Sequence, residues 1–103
     1  MKKNIEIIKG ERRYVSVIVQ RKDGETFSIT SGQFEARGYD GEEILPLQSV
    51  TGIEDVSTST ATRYRVNALV TFSQDAPHTV FVYFWIAVDD KLLGQKVKIL
   101  VKS

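Results

Sequence analysis

The longest apolar run in the chain is VFVYFWIAV, at residues 80–88, and it limits the possible folds more than any other stretch. It contains three valines, one isoleucine and four aromatic residues, and it has no charged residue. β-Branched and aromatic side chains favour strands over helices, and a run of this length is too short to cross a bilayer as a helix. The run therefore predicts the central strand of a β-sheet, which the other strands must cover.

Before this run, short alternating segments predict half-buried strands. Residues 4–8 predict a first strand, and residues 14–20 place three valines on one face, as a strand with one buried face requires. The Asp-Gly pair at 23–24 is typical of a tight hairpin turn. We therefore expect residues 25–30 to return antiparallel to residues 14–20.

The next segment predicts a second hairpin. Residues 32–39 have the pattern of a strand with Phe and Ala on one side, and a second Asp-Gly pair at 40–41 turns the chain. Residues 42–45 return, and Pro46 is expected to stop this strand at a sheet edge, because proline cannot donate a hydrogen bond to a neighbour. Residues 47–62 have a weaker pattern, which fits either an edge strand or a surface loop.

The C-terminal part adds two strands around the central run. Residues 64–72 alternate, and residues 95–102 place three lysines opposite three aliphatic residues. The whole chain has seven or eight closely spaced strands and no helical periodicity. We therefore predict one all-β domain over residues 1–103, an antiparallel immunoglobulin-like β-sandwich, because alternating strands must stack in two sheets to bury their apolar faces. A five-stranded OB-type barrel is the alternative.

Composition and spacing argue against several kinds of chemistry. The chain has no cysteine, which excludes thiol catalysis, thiolate metal sites and disulfides. Ser73, Asp75 and His78 share one short loop, whereas a hydrolytic triad needs groups brought together from separate rigid elements. Adjacent acidic residues on a strand point to opposite faces and do not converge on one ligand. We therefore predict no catalytic residue, no cofactor and no metal ligand, and hence a protein that is not an enzyme.

Charge is distributed unevenly, although the formal net charge is only +1. Residues 1–22 hold seven Lys and Arg against two acids, residues 23–62 hold eight acids against one Arg, and the last third is basic again. Such a chain is expected to form an electrically two-sided molecule, which bears on association rather than on fold. Glu6 and Lys9 interrupt the apolar stretch that an export signal needs, so we expect a cytoplasmic location after synthesis.

Two patterns point to binding surfaces. The RYR segment at 63–65 is of the kind that binds single-stranded nucleic acid, but a pI near 8.0 falls short of the strongly basic surface that such binding needs. Phe81, Tyr83 and Trp85 share one face of the central strand. We expect this stripe to pack in the core, with burial against another subunit as the second interpretation and sugar stacking as the third.

The remaining candidates for an interaction surface are charged. From charge alone, we expect a protein interface on an outer strand face or an exposed edge, with lysines on one flank and glutamates on the other. The selected residues are Lys96, Lys98 and Lys102 on the basic flank and Glu35, Glu42 and Glu43 on the acidic flank.

The segment YVSVIVQRKDGETFSITSGQFEARGYDGEEI combines an alternating strand, an Asp-Gly turn, a polar return, a Phe-containing strand and a second Asp-Gly turn. The C-terminal half adds an aromatic-rich strand ending in VDDK and a closing KVKILVKS. In these patterns the chain resembles small immunoglobulin-like modules of tailed-phage virions, especially the N-terminal domain of baseplate upper proteins. The resemblance implies a phage or prophage structural protein of the tail, baseplate or head, which associates with itself or with other virion proteins and has no catalytic residues.

Overall fold

The computed structural model describes residues 5–21, 25–89 and 91–103, and within these ranges it contains strands and no helix. The eight strands are β1 (Ile5–Ile8), β2 (Arg13–Gln20), β3 (Ile29–Gly38), β4 (Glu43–Ser49), β5 (Gly52–Asp55), β6 (Arg63–Val70), β7 (Thr79–Val88) and β8 (Lys91–Lys102). The all-β prediction is therefore confirmed.

The strands form two sheets. The larger has the order β1-β8-β7-β3-β4, and the smaller has the order β2-β6-β5. The apolar run is the central strand β7, as predicted. β1 pairs in parallel with β8, whereas the other strand pairs among the described residues are antiparallel. The small sheet matches strands B, E and D of an immunoglobulin-like sandwich, while β3, β7 and β8 match strands C, F and G. The sandwich prediction is confirmed, and the closed-barrel alternative is wrong because the two sheets share no strand.

The core lies between the two sheets and follows from the alternation of each strand. Val80, Val82, Phe84 and Ile86 of β7 are fully buried there, together with valines of β2. Phe34 of β3 packs against Phe84, with their ring centroids 6.4 Å apart. Removing apolar surface of this extent from water is the main force that holds the sheets together.

The predicted hairpin between residues 14–20 and 25–30 is wrong. β2 pairs with β6 of the small sheet, whereas β3 starts at Ile29 and pairs with β7 and β4 of the large sheet. The chain therefore crosses from one sheet to the other between β2 and β3. Phe27 anchors this crossing, because its ring is buried and meets the Tyr64 ring edge-on at 5.3 Å. The Asp-Gly pair at 23–24 lies outside the described residues.

The second predicted hairpin is confirmed, with one correction. Gly41 adopts a φ of 88°, and its amide donates to the carbonyl oxygen of Gly38 at 3.0 Å, which closes the turn between β3 and β4. Pro46 does not stop β4, which continues to Ser49 along the sheet edge. A register shift in the β3–β4 pairing accommodates the proline, since an edge strand can bulge at a residue that cannot donate.

Two other boundaries differ from the sequence expectations. Residues 47–62, which fitted either an edge strand or a loop in the sequence, contain the end of β4, the short edge strand β5 and a loop. β8 starts at Lys91, four residues earlier than expected, because Val88 pairs directly with Lys91 across a tight turn. Asp89 in this turn has a positive φ of 52°. The longer β8 places Gly94 opposite Trp85.

Candidate binding face

Phe81, Tyr83 and Trp85 lie on the outer surface of the large sheet. Because successive strand residues point to opposite sides, burial of Val82 and Phe84 between the sheets turns these three rings outward. Phe81 and Tyr83 are half-buried, and Trp85 is 36 % exposed. The expectation that the stripe packs in the core is therefore wrong. We call this surface, with its flanking side chains on β8 and β3, the aromatic face.

The rings form a continuous apolar stripe along β7. Tyr83 and Trp85 have centroids 6.2 Å apart and planes within 6° of parallel. Tyr39, which is 84 % exposed just beyond β3, extends the stripe with its ring centroid 6.5 Å from that of Phe81. At the other end, the exposed side chain of Leu92 continues it on β8. A contiguous aromatic surface that is partly open to solvent is typical of interaction sites.

Gly94 makes room for the indole of Trp85. The two residues are cross-strand partners, and a Cβ atom at position 94 would lie 2.8 Å from Cζ3 of Trp85. The indole ring therefore lies against the bare backbone of β8. Beside it is a shallow recess of about 300 Å³, lined by Tyr83, Trp85, Gly94, Gln95 and Lys96. A glycine inside a predicted strand is the sequence signal for such a close approach. The strand predicted from sequence began at residue 95, so this signal was missed at Gly94.

Charged side chains flank the stripe on both sides, with lysines on the β8 side and with both carboxylates and Arg37 on the β3–β4 side. On β8, Lys96 and Lys98 pair in register with Tyr83 and Phe81. The ammonium of Lys96 lies 5.0 Å from the centroid of the Phe81 ring, within range of a cation–π interaction. The lysine flank predicted from charge is thus next to the predicted aromatic stripe.

Glu35 connects the other flank to the aromatic stripe. It pairs with Tyr83 across the β3–β7 ladder, and its Oε2 accepts a hydrogen bond of 3.1 Å from Nε1 of Trp85. Its Oε1 accepts from Nε of Arg37, which also donates to the carbonyl oxygen of Gly41 at 3.0 Å. The hydrogen bond and the negative charge of Glu35 raise the pKa of Arg37, so the guanidinium remains cationic. Glu35 thereby holds the indole in place.

The other charged candidates lie at the margins of the aromatic face. Glu43 on β4 pairs in register with Arg37, and Glu42 is exposed in the turn before it. Lys102 is exposed at the end of β8, where it pairs with Ile8 of β1. The structure therefore brings Phe81, Tyr83, Trp85, Lys96, Lys98 and Glu35 together, with Glu43 beside them and with Glu42 and Lys102 farther out.

The loop that carries Ser73, Asp75 and His78 connects β6 to β7 at one end of the sandwich. All three side chains are exposed, and the carbonyl oxygen of His78 accepts from the amide of Val101 at 2.8 Å. Residues 5–21, 25–89 and 91–103 contain no cluster of three or more acidic or histidine side chains that could hold a metal ion. In the same ranges, no helix is suited to spanning a membrane.

No protein-family model matches this chain, and no curated protein sequence matches it. The function of this chain must therefore be inferred from the geometry of the aromatic face.

Proposed function

We propose that this protein is a non-catalytic binding module that associates with other proteins through the aromatic face. The observation that carries the proposal is the exposed stripe of Phe81, Tyr83 and Trp85 on the outer side of a sheet, bordered by cations and by carboxylates. Protein interfaces combine an aromatic centre with a polar rim in this way. Aromatic residues and Arg also dominate the binding free energy of such interfaces.

The rigidity of the aromatic face supports a binding role. Its rings project from the central strand rather than from loops, and the indole of Trp85 is fixed by Glu35 on one side and by the backbone at Gly94 on the other. A preorganised surface loses little conformational entropy when a partner docks. Neither feature is needed to hold the sandwich together, because the core lies on the opposite side of the sheet.

The kind of partner comes from the family resemblance. A small immunoglobulin-like module of a phage virion would associate with itself or with other virion proteins in a tail, baseplate or head. A two-sided surface suits such docking, because opposite charges on the two flanks orient the partner. We therefore propose a phage or prophage structural component, made in the cytoplasm and incorporated into the virion.

Binding assays with purified proteins encoded beside this gene test the proposal. We expect at least one of them to bind the immobilised chain, with the dissociation constant increasing about tenfold or more in Trp85→Ala, as for a central interface residue. Tyr14→Ala is the matched control, because Tyr14 is an exposed aromatic residue on the other sheet. Binding that is equally strong in both variants would contradict a role for the aromatic face.

A carbohydrate is the second candidate ligand, and the recess beside Trp85 favours it. Parallel aromatic rings provide apolar surface for the face of a sugar ring, and Lys96 supplies a hydrogen-bond donor at the edge. A glycan that shifts or quenches the fluorescence of Trp85, which is the only tryptophan in the chain, would support this candidate. A panel of glycans that leaves the emission unchanged would exclude it.

Nucleic acid is the least favoured ligand. The aromatic face carries carboxylates as well as lysines, and binding to a phosphate backbone needs a mainly basic surface. Retention on single-stranded DNA at low salt, with release as the salt concentration increases, would reverse this ranking.

A further inference from the structure

We propose that the aromatic face binds a second copy of this chain in a symmetric dimer whose twofold axis runs parallel to β7. This builds on the proposed function and names the partner. It follows from the arrangement of charge across the face, from the position of the rings and from the size of the surface.

The charge pattern selects the direction of the axis. Lysines of β8 lie on one side of β7. The other side carries Glu35 and Arg37 of β3, which pair with each other, and Glu43 of β4, so that its net charge is negative. When two such faces meet about a twofold axis parallel to β7, the β8 side of each copy lies over the β3–β4 side of the other. Lys96 and Lys98 then lie over the side that carries Glu35, Arg37 and Glu43, where two carboxylates outnumber one cation. A twofold axis perpendicular to β7 would instead place lysines against lysines and carboxylates against carboxylates, which is repulsive.

The same axis brings the rings together. Because β7 lies near the axis, its stripe meets the equivalent stripe of the second copy along its length. Twofold symmetry requires such a self-complementary surface, in which each contact occurs twice. The aromatic centre is then shielded from water by the charged flanks, and this is the arrangement in which ring contacts contribute most to affinity.

The available surface is sufficient for a weak, specific dimer. With about 4.8 Å between strands and about 3.3 Å per residue, the three central strands and their neighbours cover about 20 Å by 30 Å. Two such faces bury about 1,200 Å² in total, at the lower end of specific protein interfaces. A monomer–dimer equilibrium in the micromolar range is therefore expected, which is suitable for a subunit that completes its assembly among other proteins.

Sedimentation equilibrium from micromolar to submillimolar protein tests the dimer. The wild type is expected to dimerise, and Trp85→Ala is expected to weaken dimerisation about tenfold or more, whereas Tyr14→Ala leaves it unchanged. A wild type that is monomeric at every concentration overturns the dimer. The proposed function is then still tested by the binding assays with neighbouring proteins and glycans. Dimerisation that is equally strong in Trp85→Ala also overturns this proposal, because a different surface must then be used.

Charge reversal tests complementarity. Lys96→Glu/Lys98→Glu makes both flanks acidic, and Glu42→Lys/Glu43→Lys makes both flanks basic. Each variant alone is expected to dimerise about tenfold more weakly than the wild type, and a mixture of the two is expected to form a heterodimer at least as tightly as the wild type forms its homodimer. A mixture that stays monomeric while the wild type dimerises would contradict the role given to the flanks.

Zero-length coupling tests the axis. A carbodiimide joins an amine to a carboxylate only where the two groups are in contact. In a mixture of isotope-labelled and unlabelled chains, mass spectrometry of mixed-label peptides is expected to identify amide links from Lys96 or Lys98 to Glu42 or Glu43. Mixed-label links that involve only other surfaces would contradict the parallel axis.

Discussion

The two outer surfaces of the sandwich treat their charges in different ways. On the aromatic face, a strip of aromatic rings separates the lysines from the carboxylates, and Glu35 pairs with Arg37 within the carboxylate side. On the outer surface of the small sheet, which we call the polar face, charged and polar groups meet one another directly. Asn67 links the three strands there, because its side chain accepts from Ser16 on β2 and donates to Glu54 on β5 at 2.8 Å.

The ion pair between Arg65 and Glu54, at 3.6 Å, neutralises charge within the polar face. Where the polar groups of a surface hydrogen-bond to one another, few donors and acceptors remain for a binding partner. The aromatic face keeps its lysines on the opposite side of the rings from Glu43, although Arg37 pairs with Glu35 there. Both faces contain exposed aromatic or aliphatic residues, and they differ in how their charges are arranged across strands. We propose that this difference determines which face binds a partner.

The largest expected effect tests this contrast directly. Trp85→Ala should weaken association by about 2 kcal/mol or more, because it removes the largest ring of the stripe and the hydrogen bond to Glu35. The free energy of unfolding should change by less than about 1 kcal/mol, since the residue lies outside the core. Denaturant unfolding and sedimentation measure the two effects on the same samples. A large loss of stability without a loss of association would mean that Trp85 stabilises the fold and does not contribute to binding.

Asn67→Ala should produce the opposite result. Asn67 is 9 % exposed, and its loss leaves Ser16 and Glu54 without their shared partner. We expect the free energy of unfolding to fall by about 1–2 kcal/mol, the usual cost of removing one member of a partly buried hydrogen-bond network. Association should remain unchanged. Association should be measured where Asn67→Ala is fully folded. If the variant then dimerises less tightly, or binds a partner less tightly, the polar face also takes part in binding.

A pair of glycine substitutions gives a finer comparison. Gly94→Ala should displace the indole, because the new Cβ would lie 2.8 Å from Trp85, and association should weaken severalfold. Gly52→Ala on the small sheet is the control, since a Cβ there has no neighbour within 4 Å. The emission wavelength of Trp85 should change only in the first variant. An unchanged spectrum in Gly94→Ala would mean that the indole is not held against β8.

The smallest effect concerns Asp55 at the edge of the small sheet. Hydrogen bonds from the side chain and amide of Ser57 lower the pKa of Asp55. A carboxylate with a lowered pKa in the folded state stabilises the fold above its unfolded pKa of about 3.9, and this contribution is lost as the pH falls through the folded value. Stability should therefore decrease slightly more steeply below about pH 4 in the wild type than in Asp55→Asn. Identical pH profiles would show that the exposed hydrogen bonds contribute nothing measurable.

Much of the strand pattern could be predicted because it is local. Alternation identifies which residues of β2, β7 and β8 share a face, and the glycine of the second Asp-Gly pair has the positive φ that its turn was expected to need. The separation of lysines and glutamates into two flanks was also visible in the sequence. The lysine and glutamate flanks meet the rings because β8 and β3 are the neighbours of β7.

Other features could not be predicted because they depend on contacts between residues far apart in the chain. An alternating segment after a turn has the same pattern whether it pairs with the preceding strand or crosses to the other sheet, so the path from β2 to β3 was missed. Whether Phe81, Tyr83 and Trp85 face the core or solvent depends on which side of β7 the small sheet covers, and both sides of that strand are apolar in sequence.

The sequence alone specified an all-β chain with an apolar central strand and two charged flanks, because side-chain period and turn chemistry act over a few neighbouring residues. Three-dimensional packing was needed to settle which face of that strand is buried, which glycine receives the indole and which carboxylate holds it. The physical reason is that one small sheet can cover only one side of the larger sheet, and the interlocking of distant side chains selects that side.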